Sequence, residues 1–352
     1  MARRVVTLVL STALVLAMVL VGAQLHVPYA GLGPGPTYNT LGTDSKGQPL
    51  ISVTGRATYP TSGHLNLVTV SVSGGPHYPM DLGKALRYLF DKHVELVPES
   101  EIFPPGQTSE QVQQQDNQQM KQSQSSAEVA ALGELGIAPT GVQVFEVTAK
   151  KPAFGLLKPA DQIVSIDGTP ATTEDAVTTL IQKHKVGDKV VIGVNRGGKV
   201  LSLTVGTVAS ADKTPHPQIG VVLQPTWPFT VSIHVDSVGG PSAGMMFALG
   251  LIDKLTQGDL TGGTFIAGTG EIENDGTVDP IGGITQKMYG VREAGAAYFL
   301  APAGNCNDVV SGGTPKGLQV IKVTKLHDAL ADVKAIAAGQ ASTLPACTAT
   351  SS

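Results

Sequence analysis

The chain has 352 residues, enough at about 150 residues per domain for two or three folded units. Charged residues make up only 15% against 41% hydrophobic, with 42 Gly and 23 Pro, which excludes a highly charged disordered chain and a coiled coil. The 24 basic and 28 acidic side chains leave a formal net charge of -4, so no overall positive field exists to hold nucleic acid by its phosphates. Cys306 and Cys347 are the two cysteines, and no HExxH or paired CxxC occurs. Metal-dependent chemistry therefore has no support, and no cofactor is expected.

Arg3 and Arg4 precede residues 5–23, a predominantly apolar run of nineteen residues, long enough at about 1.5 Å per residue to cross a bilayer core. The positive-inside rule then predicts a single-pass membrane anchor with a cytoplasmic N-terminus and everything after Gln24 on the far side. The alternative is a cleavable signal peptide ending at Val21-Gly22-Ala23, for which the run is longer than usual. Both readings export the remainder to a compartment where disulfides persist. There Cys306 and Cys347 either pair, tying the tail to the last domain, or remain free thiols.

Pro28 to Pro36 reads PYAGLGPGP, too rich in Gly and Pro for a helix or central strand, and is expected to be an extended spacer. Residues 51–54 and the alternating 64–72 (HLNLVTVSV) look like strands. Residues 80–90 put Leu82, Ala85, Leu86 and Leu89 on one helical face. Residues 107–126 hold nine glutamines in twenty residues without Gly or Pro, which favours an exposed helix running into the more apolar 127–135 over a flexible insert.

From Gly141 the pattern changes to short strands, with turns at Asp167-Gly168 and Gly197-Gly198 and a helix near 173–183, as in a small twisted barrel of hairpins. Gly155-Leu156 through Asp161-Gln162-Ile163-Val164-Ser165-Ile166-Asp167-Gly168 resembles the "GLxxGDxIxxING" segment of PDZ domains, with Ala160 in place of the usual Gly. The resemblance implies capture of an extended peptide on a sheet edge. It puts the carboxylate-binding loop near Leu135, Gly136 and Ile137, unless Gly136 merely caps the preceding helix.

Asp236-Ser237-Val238-Gly239-Gly240-Pro241-Ser242-Ala243-Gly244 follows the alternating 230–235 and leads into AGMMFALGLIDKL. Ser242 is thus expected where a Gly-rich turn enters a helix, beside free N–H groups and the positive end of the helix dipole, with small Ala243 and Gly244 allowing close approach. Alone, the motif is better read as a turn with Ser as helix cap. Farther on, Asp279-Pro280-Ile281-Gly282-Gly283 opens a second helix with Lys287 in its first turns. Ile281, Ile284, Met288 and Val291 imply partial burial there, and burial and the dipole both depress an ammonium pKa. A hydroxyl beside a neutral amine is a nucleophile with its base.

Taken together, GGPSAG around Ser242, GTGEI at 268–272, DGTVDPIGGITQK up to Lys287 and REAGAAYFLAPAGN after it are similar to the proteolytic domain of Lon-type serine proteases. With the upstream segments, the chain resembles a membrane-anchored, PDZ-containing Lon-like protease of Gram-positive bacteria. The resemblance implies a Ser242–Lys287 dyad supported by Thr269, Gly240 and Ala243, polypeptide substrates, and a homo-oligomer. Two departures bear on tuning of the dyad: Gly239 stands where many Lon proteases have Asp, and Gln286 where they have Glu. No GxxxxGK[ST] loop occurs and the length leaves no room for an ATPase module, so ATP-independent cleavage of unfolded or flexible exported proteins is expected.

The expected class is α+β: a transmembrane anchor (1–25), a spacer (26–50), strands and helices that belong in part to the protease fold (51–134), the PDZ-like domain (135–208), a linker (209–217), the proteolytic domain (218–340) and a tail (341–352). One rival is an α/β-hydrolase, since Gly240-Pro-Ser242-Ala-Gly244 also fits G-x-S-x-G, with Asp308 and His327 following in order. Another is a non-catalytic, membrane-tethered peptide-binding scaffold. Ser210 to Lys213 fits SxxK without its companion motifs, and His234 is read as a sheet residue.

Overall fold

The computed structural model describes residues 2–22, 25–75, 79–104, 106–210, 215–235 and 238–348. In chain order its main elements are α1 (Ala2–Gly22), β1 (Tyr29–Asn39), β2 (His64–Ser73), α2 (Leu82–Leu89), β3 (Glu95–Pro98) and α3 (Ser109–Glu134). There follow β4 (Gly141–Val147), β5 (Gln162–Ile166), α4 (Glu174–Gln182), β6 (Lys189–Arg196), β7 (Lys199–Gly206) and β8 (Val221–Thr226). The last are α5 (Gly244–Leu255), β9 (Phe265–Gly268), α6 (Ile284–Glu293), β10 (Tyr298–Pro302), β11 (Gln319–Val323) and α7 (Leu326–Ala337). Two compact units result: Met1–Ser52, Ala57–Glu134 and Val231–Ser352 form the first, Val53–Arg56 and Leu135–Thr230 the second.

The expected membrane anchor is corrected. Among the described residues, no helix is long and apolar enough to cross a membrane. Helix α1 starts on Arg3 and Arg4, and the hydroxyls of Thr7, Ser11 and Thr12 donate to its own carbonyls. Residues 23 and 24, the end of the expected span, lie outside the described residues. The predicted topology, with the rest of the chain across a membrane, loses its basis with the anchor.

The first unit is built on a mixed sheet in the order β11-β10-β9-β2-β1-β3. Strands β2, β9, β10 and β11 run parallel, while β1 is antiparallel to both β2 and β3. Parallel neighbours need crossover connections, and α6 supplies the one between β9 and β10. The class is therefore mixed α/β, where α+β was expected. Side chains alternate across β9: Ala267 packs with Ile284, Met288 and Val291 of α6, while a Cβ on Gly268 would fall 2.6 Å from Met246 of α5. Helices α5 and α6 thus cover opposite faces of the sheet.

The PYAGLGPGP segment is a strand, β1, rather than a spacer. Pro34 pairs with Val70 and Thr37 with Val68, and the register shifts between them, so the prolines fall at a bulge where a ladder N–H is dispensable. Its glycines serve close packing: a Cβ on Gly31 would lie 2.6 Å from the Tyr88 ring and one on Gly35 2.5 Å from Thr69. The Gln-rich segment is helical, and α3 buries Met120, Ser123, Ala127, Ala130 and Ala131 while most of its glutamines are exposed. Cys306 and Cys347 are joined in a disulfide with Cα atoms 4.9 Å apart, which resolves the two alternatives for the pair.

The second unit is an antiparallel sheet in the order β7-β6-β5-β4-β8 with α4 against it. Both expected turns are present with positive φ at each central residue: 48° and 77° at Asp167-Gly168, 58° and 84° at Gly197-Gly198. These values suit the right-handed twist of hairpin strands. Ala160, in the place of the usual Gly, carries φ 68°, a conformation costing an L-residue about 1 kcal/mol.

Candidate active site

Ser242 lies in the turn that precedes α5, whose cap residue is Ala243. The turn is fixed from inside the unit, since the Ser242 carbonyl accepts from Gly270 N–H at 2.8 Å and from Thr269 Oγ1 at 2.9 Å. Thr269 follows the end of β9, where its own N–H donates to Leu300 of β10 at 3.1 Å. Lys287 sits one turn into α6, its N–H donating to Gly283, the left-handed cap residue with φ 68°. Four segments distant in sequence therefore meet at one point.

There Lys287 Nζ lies 2.7 Å from Ser242 Oγ and donates to Thr269 Oγ1 at 2.9 Å. Lys287 is only 2% exposed, and burial pushes its ammonium pKa down to about 7 from an ordinary value of 10.5. The direction of the Thr269 bond matters. Its hydroxyl proton is committed to the Ser242 carbonyl, so Thr269 Oγ1 receives an N–H from Lys287. A neutral amine held this way has its lone pair left for the Ser242 hydroxyl proton.

A cleft of about 460 Å³ opens beside these groups, walled by Tyr38 of β1, Val68 and Val70 of β2, Met120 of α3, and Gly240 and Gly282. Gly240 has φ +83° and its N–H donates to the carbonyl of Asp116 at 3.1 Å. The amides of Ser242 and Ala243 make no backbone hydrogen bond among the described residues. Of the two departures, Gln286 donates to Glu95 of β3 at 3.1 Å, whereas a Cβ on Gly239 would lie 2.6 Å from Cβ of Asp116. Asp116, Met120 and Ser123 were not singled out from the sequence. Their spacing of four and three along a Gln-rich helix was the available signal.

The rival constellations are not assembled. His327 Nδ1 is 2.8 Å from Glu134 Oε1, and Asp308 accepts from Asn305 at 3.3 Å. Ser210 pairs with His216, and residues 211–213 of SxxK lie outside the described residues. The N–H of His234 donates to Leu50 at 2.8 Å. Leu135, Gly136 and Ile137 follow α3; Gly136 has φ +66° and the Ile137 carbonyl accepts from the Trp227 indole at 3.3 Å. In the same unit β8 pairs with β4 along one edge, and the other edge has no strand partner among the described residues. Val221 and Leu223 of β8, and Ala176 and Leu180 of α4, are half-buried over the same core.

Residues 228–335 match the model of the Lon protease (S16) C-terminal proteolytic domain. The chain carries a Lon-type serine peptidase domain. Residues 111–207 match the PDZ domain model. Among curated relatives, the chain is similar to Lon protease of Rickettsia typhi, 27% identical over 52% of this chain and 24% of that one. Lon protease of Phenylobacterium zucineum is 32% identical over 41% and 19%, and Lon protease 1 of Bacillus subtilis 27% over 50% and 24%. The chain thus spans about a quarter or less of these relatives' length. Among solved structures, the PDZ domain of the SdrC-like protein from Listeria innocua is 32% identical over 24% of this chain and 92% of that one, with a TM-score of 0.22.

Proposed function

We propose that the chain is a serine endopeptidase in which Ser242 is the nucleophile and Lys287 its general base. The supporting observation is the buried Lys287 amine, 2.7 Å from Ser242 Oγ with no charged partner in that hydrogen-bonded set. Ser242 Oγ attacks the peptide carbonyl as its proton passes to Lys287 Nζ, and the lysine then protonates the leaving amine. Water, deprotonated in turn by Lys287, hydrolyses the acyl-enzyme. Thr269 orients the lysine, and the Ser242 and Ala243 amides at the start of α5 stabilise the oxyanion.

The substrates in this reading are unfolded or flexible polypeptides, cleaved without ATP. The PDZ unit recruits them, with the unpaired edge of β8 as the strand that accepts an added peptide. Gly136, with its positive φ, terminates α3 in this account. A homo-oligomer is proposed on the resemblance to Lon-type domains, and sedimentation velocity would test it. Casein hydrolysis by the wild type and by Ser242→Ala, Lys287→Ala and His327→Ala tests the chemistry. Loss in the first two variants with retention in the third supports the dyad. Loss in His327→Ala with retention in Lys287→Ala would establish a triad hydrolase instead, and no cleavage with peptide binding intact would favour a scaffold.

A further inference from the structure

Helix α3 lies outside the segment matched to the proteolytic domain, and most of it falls within the PDZ match. Its packing belongs with the peptidase unit. Asp116, Met120 and Ser123, at i, i+4 and i+7, lie on one side of the helix. All three meet the loop that carries Ser242. The Asp116 carbonyl accepts from Gly240 N–H at 3.1 Å, and its side chain occupies the space over Gly239, where an added Cβ would come within 2.6 Å of Asp116 Cβ. Met120, 5% exposed, forms part of the cleft wall. Ser123, 3% exposed, donates from Oγ to the Pro241 carbonyl at 2.8 Å. A Cβ on Gly244 would lie 2.9 Å from that same oxygen.

We propose that α3 is a positioning element for the nucleophile, with Asp116 and Ser123 fastening residues 239–241 so that Ser242 Oγ stays within reach of Lys287. The inference rests on Ser242 being the nucleophile. It accounts for glycine at 239: the volume that a side chain there would fill is taken by a carboxylate arriving from α3. Neither residue touches the reacting atoms. Both act through the backbone on either side of Gly240, which lacks a Cβ to restrain it and holds φ at +83°.

The test uses the full chain and reads kcat and KM on casein, with labelling of Ser242 by a fluorophosphonate as a second rate. Ser123→Ala is expected to lower kcat and the labelling rate about tenfold, with KM within about twofold. Gly239→Ala is expected to lower kcat about thirtyfold, and Asp116→Gly, which removes the colliding Cβ, about fivefold. The double variant should then return to the level of Asp116→Gly alone, a rescue that general destabilisation would not produce. Wild-type kcat in Ser123→Ala, or independent multiplication of the two effects in the double variant, overturns the positioning role while leaving the proposed function standing. Absence of Ser242-dependent cleavage by the wild type removes the proposed function and this inference with it.

Discussion

Two buried ionisable groups, Asp161 in the second unit and Lys287 in the first, are treated in opposite ways. In the second unit Asp161 is 1% exposed, and Arg196 closes on it with Nε and Nη2 at 2.6 Å each, while Lys158 N–H donates at 2.8 Å. Burial pushes that carboxyl up, but the Arg196 and Lys158 contacts outweigh it and hold the pKa below the usual carboxylate range. In the first unit Lys287 is buried just as deeply, yet it meets the hydroxyls of Ser242 and Thr269, and burial drives it down to about 7. Burial alone does not decide what a charged residue does. A matched counter-charge keeps Asp161 ionised and structural, whereas neutral partners leave the Lys287 amine able to lose its proton near neutral pH, as the proposed base role requires.

The contrast breaks most sharply at Lys287. Lys287→Met is expected to lower kcat about a thousandfold or more while raising stability. The unfolded chain holds the lysine proton up to 10.5 and the folded chain only to about 7, so stability rises with pH across that window and the burial cost is largest below it. At pH 8 the gain in denaturant unfolding free energy should be on the order of 3 kcal/mol. A destabilised Lys287→Met would mean the lysine is held charged, as Asp161 is. Conversely, Asp161→Ala should cost the second unit about 2 kcal/mol in urea unfolding and leave cleavage of a short unstructured peptide unchanged.

Smaller effects refine the same comparison. Thr269→Val keeps the shape but removes the hydroxyl between Lys287 and the Ser242 carbonyl, and kcat should fall about tenfold with little change in KM. An unaltered kcat would show that burial alone orients the amine. Ala160→Gly relieves φ 68° in the segment leading to Asp161, and should stabilise the second unit by about 1 kcal/mol, read as a higher thermal midpoint.

Local chemistry was legible where it repeats in sequence. Helical spacing around Lys287, the Gly-rich turn before α5 and the two Gly-containing hairpin turns each carry their own physical signal. What long-range packing decides was not. The Gly and Pro of β1 read as a spacer because their use, close approach to Tyr88 and Thr69 and a bulge opposite Val70 and Val68, depends on partners far along the chain. The apolar N-terminal run read as a membrane span from its length, its composition and the two arginines before it, without weighing the hydroxyls of Thr7, Ser11 and Thr12 in the same helix. Asp116 and Ser123 went unnoticed because a polar residue on a Gln-rich helix looks solvated until its neighbour across the fold is known.

The pH dependence of kcat/KM on an unfolded substrate tests most directly whether Lys287 is the neutral base for Ser242. The account predicts a tenfold rise per pH unit at acid pH and a plateau above an apparent pKa of about 7. A rate that keeps climbing toward pH 10 would contradict it, because the lysine would then be an ordinary solvated ammonium.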